Sequence, residues 1–186
     1  MKRIVLTFGL IAGAIMAAMM AITMPFHDRI SPSNGMVIGY TTMVLAFLLV
    51  FFGIRSYREN VGGGQISFGR ALAVGLLIMA ITCACYVIVW EVIYFNFMPD
   101  FIDKYMAHAT ESLRASGKSP EQIQSEINEM NRMMTLYKNN IFVNIAFTLL
   151  EPLPVGLVMT LISALILRKR ARREPQLETG LPDLQN

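Results

Sequence analysis

Four long apolar segments dominate this sequence and restrict the folds open to it. They cover residues 4–24, 36–54, 71–97 and 141–167. Each is near or above the roughly 20 residues that cross about 30 Å of hydrocarbon as a helix, and lipid cannot satisfy the backbone of any extended chain. Only 16% of the residues are charged, well below the share typical of a soluble domain. The sequence therefore predicts an all-α membrane protein with four transmembrane helices.

The first apolar segment has a second interpretation, as a cleaved secretory signal. Lys2 and Arg3 precede it, as basic residues precede the apolar core of signal peptides. The core is longer than such signals use, however, and no small-x-small cleavage site follows it before Pro25. We therefore favour a first transmembrane helix over a signal that is removed.

The basic residues of the short connections predict the orientation of the helices. They concentrate at the amino terminus, around the second connection and after the fourth segment: Lys2, Arg3, Arg55, Arg58, Arg70 and residues 168–173. The first connection contains only Arg29, and the long third connection has more acids than bases. We expect both termini and the second connection to be cytoplasmic. Because this placement accounts for the basic residues, we expect the lipid bilayer and not a nucleic acid as their partner.

The third connection, residues 98–140, is the one sizeable segment outside the predicted spans, and its pattern predicts a helical hairpin. Pro99 is typical of a first helical position, and Gly117 of a helix C-terminus. Ser119 and Gln122 form the pattern of a capping box at the start of a second helix. An apolar stripe continues along that helix at helical spacing: Ile123, Ile127, Met130, Met134 and Tyr137.

Apolar stripes on a hairpin must be buried somewhere. The simplest arrangement packs the stripes of the two helices against each other. Alternatively, the stripes bind a protein partner or a second copy of the chain, or they rest on the lipid surface. The residue types do not separate these three arrangements.

Several other features have plain structural interpretations. The glycines of residues 62–64 lack the lysine and hydroxyl residue of a phosphate-binding loop and predict a turn. Cys83 and Cys85 point to nearly opposite sides of a helix and are expected to be packing residues. The sequence predicts a membrane domain, residues 1–173, followed by a disordered cytoplasmic tail, residues 174–186.

No metal site or cofactor is expected. The two histidines, His27 and His108, lie in different external segments and are too few for a zinc site. Thioethers suit cuprous ions, and methionines are frequent in the external connection. These are Met98, Met106, Met130, Met133 and Met134. They fall largely on the apolar stripes, which favours a packing role.

The fourth apolar segment contains an acid and two prolines, in the stretch TLLEPLPVG at residues 148–156. Pro152 and Pro154 each remove a backbone donor and disfavour helical geometry in the preceding residue. We therefore expect the fourth helix to kink or restart at Glu151.

The polar residues within the predicted spans form a candidate intramembrane site: Glu91, Asn144, Thr148 and Glu151. Asn144, Thr148 and Glu151 share one face of the fourth helix at i, i+4 and i+7. At about 1.5 Å per residue, Glu91 and Glu151 lie at similar heights in the outer half of the bilayer. One hypothesis makes them a proton, cation or substrate site. The other makes them interfacial acids that hold the helices in register.

Four stretches of the sequence resemble a bacterial membrane-protein family catalogued as domain of unknown function 4199. They are ISFGRALAVG at residues 66–75, FIDKYMAH at residues 101–108, the GKSPEQI turn, and the segment from TLLEPLPVG to the basic end of the fourth span. The resemblance covers residues 36–170. It implies a small inner-membrane protein with several spanning helices and an external helical insert. It supplies no activity and no catalytic residues.

These observations favour a non-enzymatic, multi-pass inner-membrane protein that binds a partner or serves as a structural or accessory component. The alternative is a small transporter or a proton- or cation-coupled subunit that uses Glu91 and Glu151. No nucleophile and base are paired among the spanning residues, so a catalytic site is not expected.

Reporter fusions test the predicted orientation. A reporter placed within residues 62–64 is expected to show a cytoplasmic location, and one placed at Gly117 a periplasmic location. The measurement is the activity of a reporter that functions on one side only. A cytoplasmic signal at Gly117 would contradict the four-helix topology.

Overall fold

The computed structural model describes residues 1–169, and nearly all of them are helical. The elements are α1 (Lys2–Thr23), a 3-10 helix (Met24–Arg29), α2 (Pro32–Asn60), α3 (Phe68–Phe97), α4 (Phe101–Ala115), α5 (Pro120–Asn139), α6 (Ile141–Leu150) and α7 (Pro152–Leu167). The all-α prediction is confirmed. The predicted disordered tail, residues 174–186, lies outside the described residues.

Three helices are individually long and apolar enough to cross a membrane: Lys2–Thr23, Ser33–Asn60 and Phe68–Phe97. The fourth predicted span is two helices, α6 and α7, which meet at an angle of 42°. Together they pass the same test, so residues 1–169 contain three candidate spans, or four if the bent pair is one span. The predicted restart of the helix at Glu151 is confirmed.

Helix α2 extends beyond the predicted residues 36–54 at both ends. At its start, the Ser31 hydroxyl accepts a hydrogen bond from the Asn34 amide at 3.4 Å, with a proline at the first helical position. At its end, Arg55 and Glu59 form an i,i+4 ion pair at 2.9 Å. Capping and charge pairing continue a helix past its apolar core, which hydropathy alone does not detect.

Helices α1, α2, α3 and α7 form a bundle in which α3 contacts each of the other three. Its core is closely packed, and the fully buried side chains include Ala46, Phe47, Val50, Ile54, Val74 and Ile78. Helix α6 packs against α3 and against α5. The broken fourth segment therefore contacts both the bundle and the external hairpin.

Glycines permit the closest approaches between the helices. A Cβ atom on Gly9 of α1 would lie 2.8 Å from the Ile81 Cβ on α3. The Gly9 carbonyl also accepts a hydrogen bond from the Thr82 hydroxyl at 3.3 Å. A Cβ on Gly156 of α7 would lie 2.8 Å from the Phe47 ring. Small residues at these positions let helix backbones approach in a bilayer, where van der Waals contact drives association.

The end of the bundle opposite the hairpin is closed by a short backbone pairing. The Ile66 amide donates to the Lys169 carbonyl at 3.0 Å, and the Lys169 amide donates to the Ile66 carbonyl at 2.9 Å. The predicted glycine turn precedes this bridge, and Gly63 and Gly64 both have positive φ. The bridge fixes the loop between α2 and α3 to the end of α7.

The predicted hairpin is present as α4 and α5, and its turn has the expected chemistry. Ser119 and Gln122 form the complete capping box. Gly117 has a φ of +72°, the left-handed conformation that ends many helices. Lys118 and Glu126 pair across the turn at 2.7 Å. The prediction that Pro99 starts the first helix is wrong, because α4 begins two residues later, after a turn.

The two hairpin helices contact each other, and a cluster of aromatic residues attaches them to α3. Along α5 the predicted stripe is half-buried until Tyr137, which is buried. Tyr137 packs with Tyr94 of α3 and Ile102 of α4, and Trp90 and Phe101 surround them. The rings of Tyr94 and Tyr137 meet edge to face at 5.6 Å. The stripe is thus buried within the molecule where the hairpin meets the bundle.

The same substitution, glycine to alanine, made separately at two positions tests the helix packing. Gly9→Ala is expected to lower the free energy of unfolding by about 1–3 kcal/mol, because the new methyl group meets the β-branched Ile81. Gly39→Ala in α2 is expected to raise it by about 0.5–1 kcal/mol, because nothing lies within 4 Å and alanine favours the helix. Thermal or denaturant unfolding in the same detergent measures both. Equal effects of the two substitutions would contradict the close approach of α1 to α3.

Candidate functional site

The break between α6 and α7 places Glu151 where the backbone changes direction. Pro152 and Pro154 lack the amides that would bond the carbonyls of Thr148 and Leu150 in a continuous helix. Pro152 is buried, and Glu151 precedes it as the first residue outside α7. Glu151 lies at the positive end of the α7 dipole and at the negative end of the α6 dipole, so the two dipoles act on its side chain with opposite signs.

The Glu151 carboxylate is bound by a buried tyrosine on the neighbouring helix. The Tyr86 hydroxyl of α3 donates to Glu151 Oε2 at 2.6 Å, a distance typical of a hydrogen bond to a charged acceptor. Tyr86 is 7% exposed, whereas Glu151 is exposed. Among the described residues, no basic side chain forms an ion pair with this carboxylate. Tyr86 thus holds one oxygen and leaves the acid accessible.

Glu151 lines a large, partly open cavity at the hairpin end of the bundle. The cavity has a volume of about 900 Å³, and α1, α2, α3, α4 and the 3-10 helix form its walls. Methionines contribute much of the apolar surface: Met16, Met19, Met20, Met24, Met43 and Met98. The basic residues Arg29 and Lys104 also line it, on segments outside the candidate spans. We call this space the main cavity.

A smaller cavity of about 330 Å³ adjoins the main cavity beneath the hairpin. The residues that line both are Tyr86, Trp90, Phe101, Tyr105 and Glu151. Four of these five are aromatic, so the wall that the two cavities share is aromatic apart from one carboxylate. We call these five residues the aromatic–acid group.

The polar residues predicted from sequence are only partly brought together. Thr148 and Glu151 line the smaller cavity, and the Thr148 hydroxyl donates to the Asn144 carbonyl at 3.0 Å. Asn144 is 1% exposed, and its Nδ2 has no hydrogen-bond partner among the described residues. Glu91 lines neither cavity, and no described residue bonds its two buried carboxylate oxygens. The structure therefore separates the two acids.

Sequence analysis did not identify the tyrosines and the tryptophan that surround Glu151. Tyr86, Trp90 and Tyr94 recur at i, i+4 and i+8, so they share one face of α3. This spacing was the available signal, although an aromatic stripe of this kind is usually ordinary packing. Trp90 Nε1 donates to the Tyr137 hydroxyl at 2.8 Å, which orients the indole beside the cavity.

The Tyr137 hydroxyl is on α5, outside the candidate spans, and the side chains of Trp90, Thr148 and Asn144 lie next to it. Burial raises its pKa above the usual value for tyrosine, and the hydrogen bond from Trp90 opposes that shift. The hydroxyl therefore stays protonated at neutral pH. It serves as a neutral acceptor that joins the hairpin to α3.

These features define the class of protein: an all-α molecule with helices of membrane-crossing length around a cavity that is lined by the acidic side chain of Glu151. Residues 7–169 match the family described as "Protein of unknown function (DUF4199)". The chain belongs to this family, and the resemblance noted from its motifs is confirmed. No curated protein and no solved structure matches the chain.

The Trp90–Tyr137 contact has a direct spectroscopic test, because Trp90 is the single tryptophan of the chain. Tyr137→Phe removes the acceptor of the indole N–H, and the emission maximum is expected to shift to shorter wavelength. Tyr57→Phe is the matched control, since Tyr57 is buried in the bundle core and outside this group. An unchanged spectrum for Tyr137→Phe would contradict the contact.

Proposed function

We propose that this chain is a non-enzymatic, four-span protein of the bacterial inner membrane that binds an amphipathic molecule in its main cavity. In this proposal α6 and α7 form one broken span, both termini are cytoplasmic, and the hairpin is periplasmic. The basic residues of the connections support this orientation. Helix α7 has 16 residues and a length of about 24 Å, which puts Glu151 and the main cavity in the outer half of the bilayer.

The main cavity is the observation that carries the proposal. Its volume of about 900 Å³ lies within the roughly 300–1,000 Å³ typical of ligand sites. Such sites are mostly apolar and contain a few polar groups that orient the ligand. Methionine walls suit ligands of variable shape, because the unbranched thioether side chain adapts to its neighbour. The carboxylate of Glu151 supplies the orienting polar group.

Binding is a better fit to this structure than transport. Below Glu151 the bundle is closed by Phe47, Val50, Ile54 and Ile78, all fully buried. Packed core side chains therefore lie between the cavity and the opposite end of the bundle. Transport that uses Glu151 is the second candidate, because an acid at a broken helix within a cavity is also a feature of substrate sites in transporters.

The hairpin contributes less to the proposed function than the sequence suggested, where its apolar stripes were one candidate surface for binding a partner. Its stripes face one another and the aromatic cluster, which leaves Met133 and Leu136 as exposed apolar residues on α5. A protein partner or a second copy of the chain would contact this surface. We propose that the hairpin chiefly covers the cavity and that any partner contact is secondary.

A cavity-filling substitution tests the proposal. Gly39 lines the main cavity, and a Cβ atom added there has no neighbouring atom within 4 Å. Gly39→Phe is therefore expected to occupy the cavity without unfolding the protein. In nanodiscs, 12-bromododecanol is expected to quench Trp90 fluorescence saturably in the native protein. Its apparent affinity should fall at least about tenfold in Gly39→Phe.

Gly69→Phe is the matched control. A Cβ atom added at Gly69 also has no neighbouring atom within 4 Å, and Gly69 does not line the main cavity. Its quenching is expected to match that of the native protein. Quenching that rises linearly with the bromoalkane, equally in all three proteins, would reflect contact with bulk lipid and would contradict the proposal.

A further inference from the structure

The geometry points to the chemical class of the ligand: an amphipathic molecule with a positively charged ammonium group, which the aromatic–acid group binds. This inference rests on the proposed function of the main cavity and goes beyond it. It assigns the polar end of the ligand to Glu151 and the aromatic rings around it.

The charge of the site favours a cationic ligand. Glu151 supplies a carboxylate within an apolar cavity, and Tyr86 occupies one of its oxygens. A carboxylate that loses water on ligand binding needs a compensating charge or several donors. An anionic ligand would be repelled, and a purely apolar ligand would leave the acid unpaired. An ammonium group supplies both the charge and the donors.

The concentration of rings around the acid also favours a cationic ligand. Trp90, Phe101 and Tyr105 line both cavities with Glu151 and Tyr86. Trp90 and Phe101 meet edge to face at 5.1 Å, and the bond from Trp90 to Tyr137 fixes the indole. Aromatic faces attract ammonium groups through the ring quadrupole, most strongly when water is excluded. A carboxylate among aromatic rings is suited to an ammonium group.

A metal ion fits this site less well. Calcium needs six to eight oxygen ligands, and magnesium needs near-octahedral geometry. Among the side chains that the structure describes, His, Cys, Asp and Glu residues do not form a group of three or more that could hold a metal ion. One carboxylate with aromatic neighbours does not supply such a coordination sphere, whereas an ammonium group needs only one acid and ring faces.

The basic residues at the mouth of the main cavity are compatible with a cationic ligand. Lys104 forms an ion pair with Asp100 at 3.1 Å, which reduces its effect on an approaching cation. Arg29 is exposed, so water and salt screen its charge over roughly 10 Å. Glu151 lies at the break between α6 and α7, whereas Arg29 and Lys104 lie on segments outside the candidate spans. The ammonium group would therefore enter first, and the apolar body would lie along the methionines.

A matched set of ligands tests the inference in nanodiscs of zwitterionic lipid. The probes are dodecyltrimethylammonium, dodecanol and dodecyl sulfate, which share one alkyl chain and differ in charge. Each competes with 12-bromododecanol for the quenching of Trp90. We expect the ammonium compound to bind at least about tenfold more tightly than the alcohol, or about 1.4 kcal/mol. The sulfate is expected to bind most weakly.

Two substitutions locate the recognition of charge. Glu151→Gln is expected to remove the preference for the ammonium compound while 12-bromododecanol still binds, which also shows that the variant is folded. Glu91→Gln removes an acid that lines neither cavity and is expected to keep the preference. Soluble tetramethylammonium distinguishes the source of the ligand. Competition by it indicates a free ammonium compound, and its failure to compete indicates a membrane-derived amphiphile.

The possible outcomes distinguish the ammonium assignment from the existence of the binding cavity. Equal affinities of the ammonium compound and the alcohol, or a preference unchanged by Glu151→Gln, would overturn the ammonium assignment and leave the binding cavity intact. Quenching by 12-bromododecanol that does not saturate would overturn the binding cavity itself. A preference lost in Glu151→Gln and kept in Glu91→Gln would support both.

Discussion

In the proposed four-span arrangement, the absence of water within the bilayer makes the break at Pro152 the feature on which the rest of the structure depends. A helix interrupted within hydrocarbon exposes backbone carbonyls, so protein has to cover it. Here α3 covers the break and supplies the Tyr86 hydroxyl to Glu151. The 42° bend tilts α6 away from the line of α7 and towards the hairpin. The interruption thus accounts for both the position of the acid and the space beside it.

One face of α3 has two tasks in this arrangement. Its Tyr86 holds the acid, and its Tyr94 anchors the hairpin through Tyr137. Trp90, between them, lines the cavity and bonds to Tyr137. Hairpin position and site geometry are therefore coupled through a single rigid helix.

The sequence predicted the features that follow from the hydrophobicity of the bilayer and from local backbone chemistry. Apolar length gave the candidate spans, the prolines gave the break, and Ser119 with Gln122 gave the hairpin turn. Counting residues also placed Glu91 and Glu151 at similar heights. A count of residues along a helix gives the height of an acid, but it does not show which neighbouring helix the side chain faces. Tyr86 and Glu91 are about 140° apart around α3, so only the former reaches Glu151. The cavity depends on helix placement, which no local pattern encodes.

The pairing of Ile66 with Lys169 has a consequence for the order of assembly. It joins the start of α3 to the residue just after α7, the last described helix along the chain. Until α7 arrives, the surfaces of Phe47 and Met79 that receive Gly156 face lipid. The first three helices are therefore an incomplete bundle throughout synthesis of the hairpin. Closure at this bridge is a late event, and a chain that fails to place α7 would present an open groove to the cell's quality control.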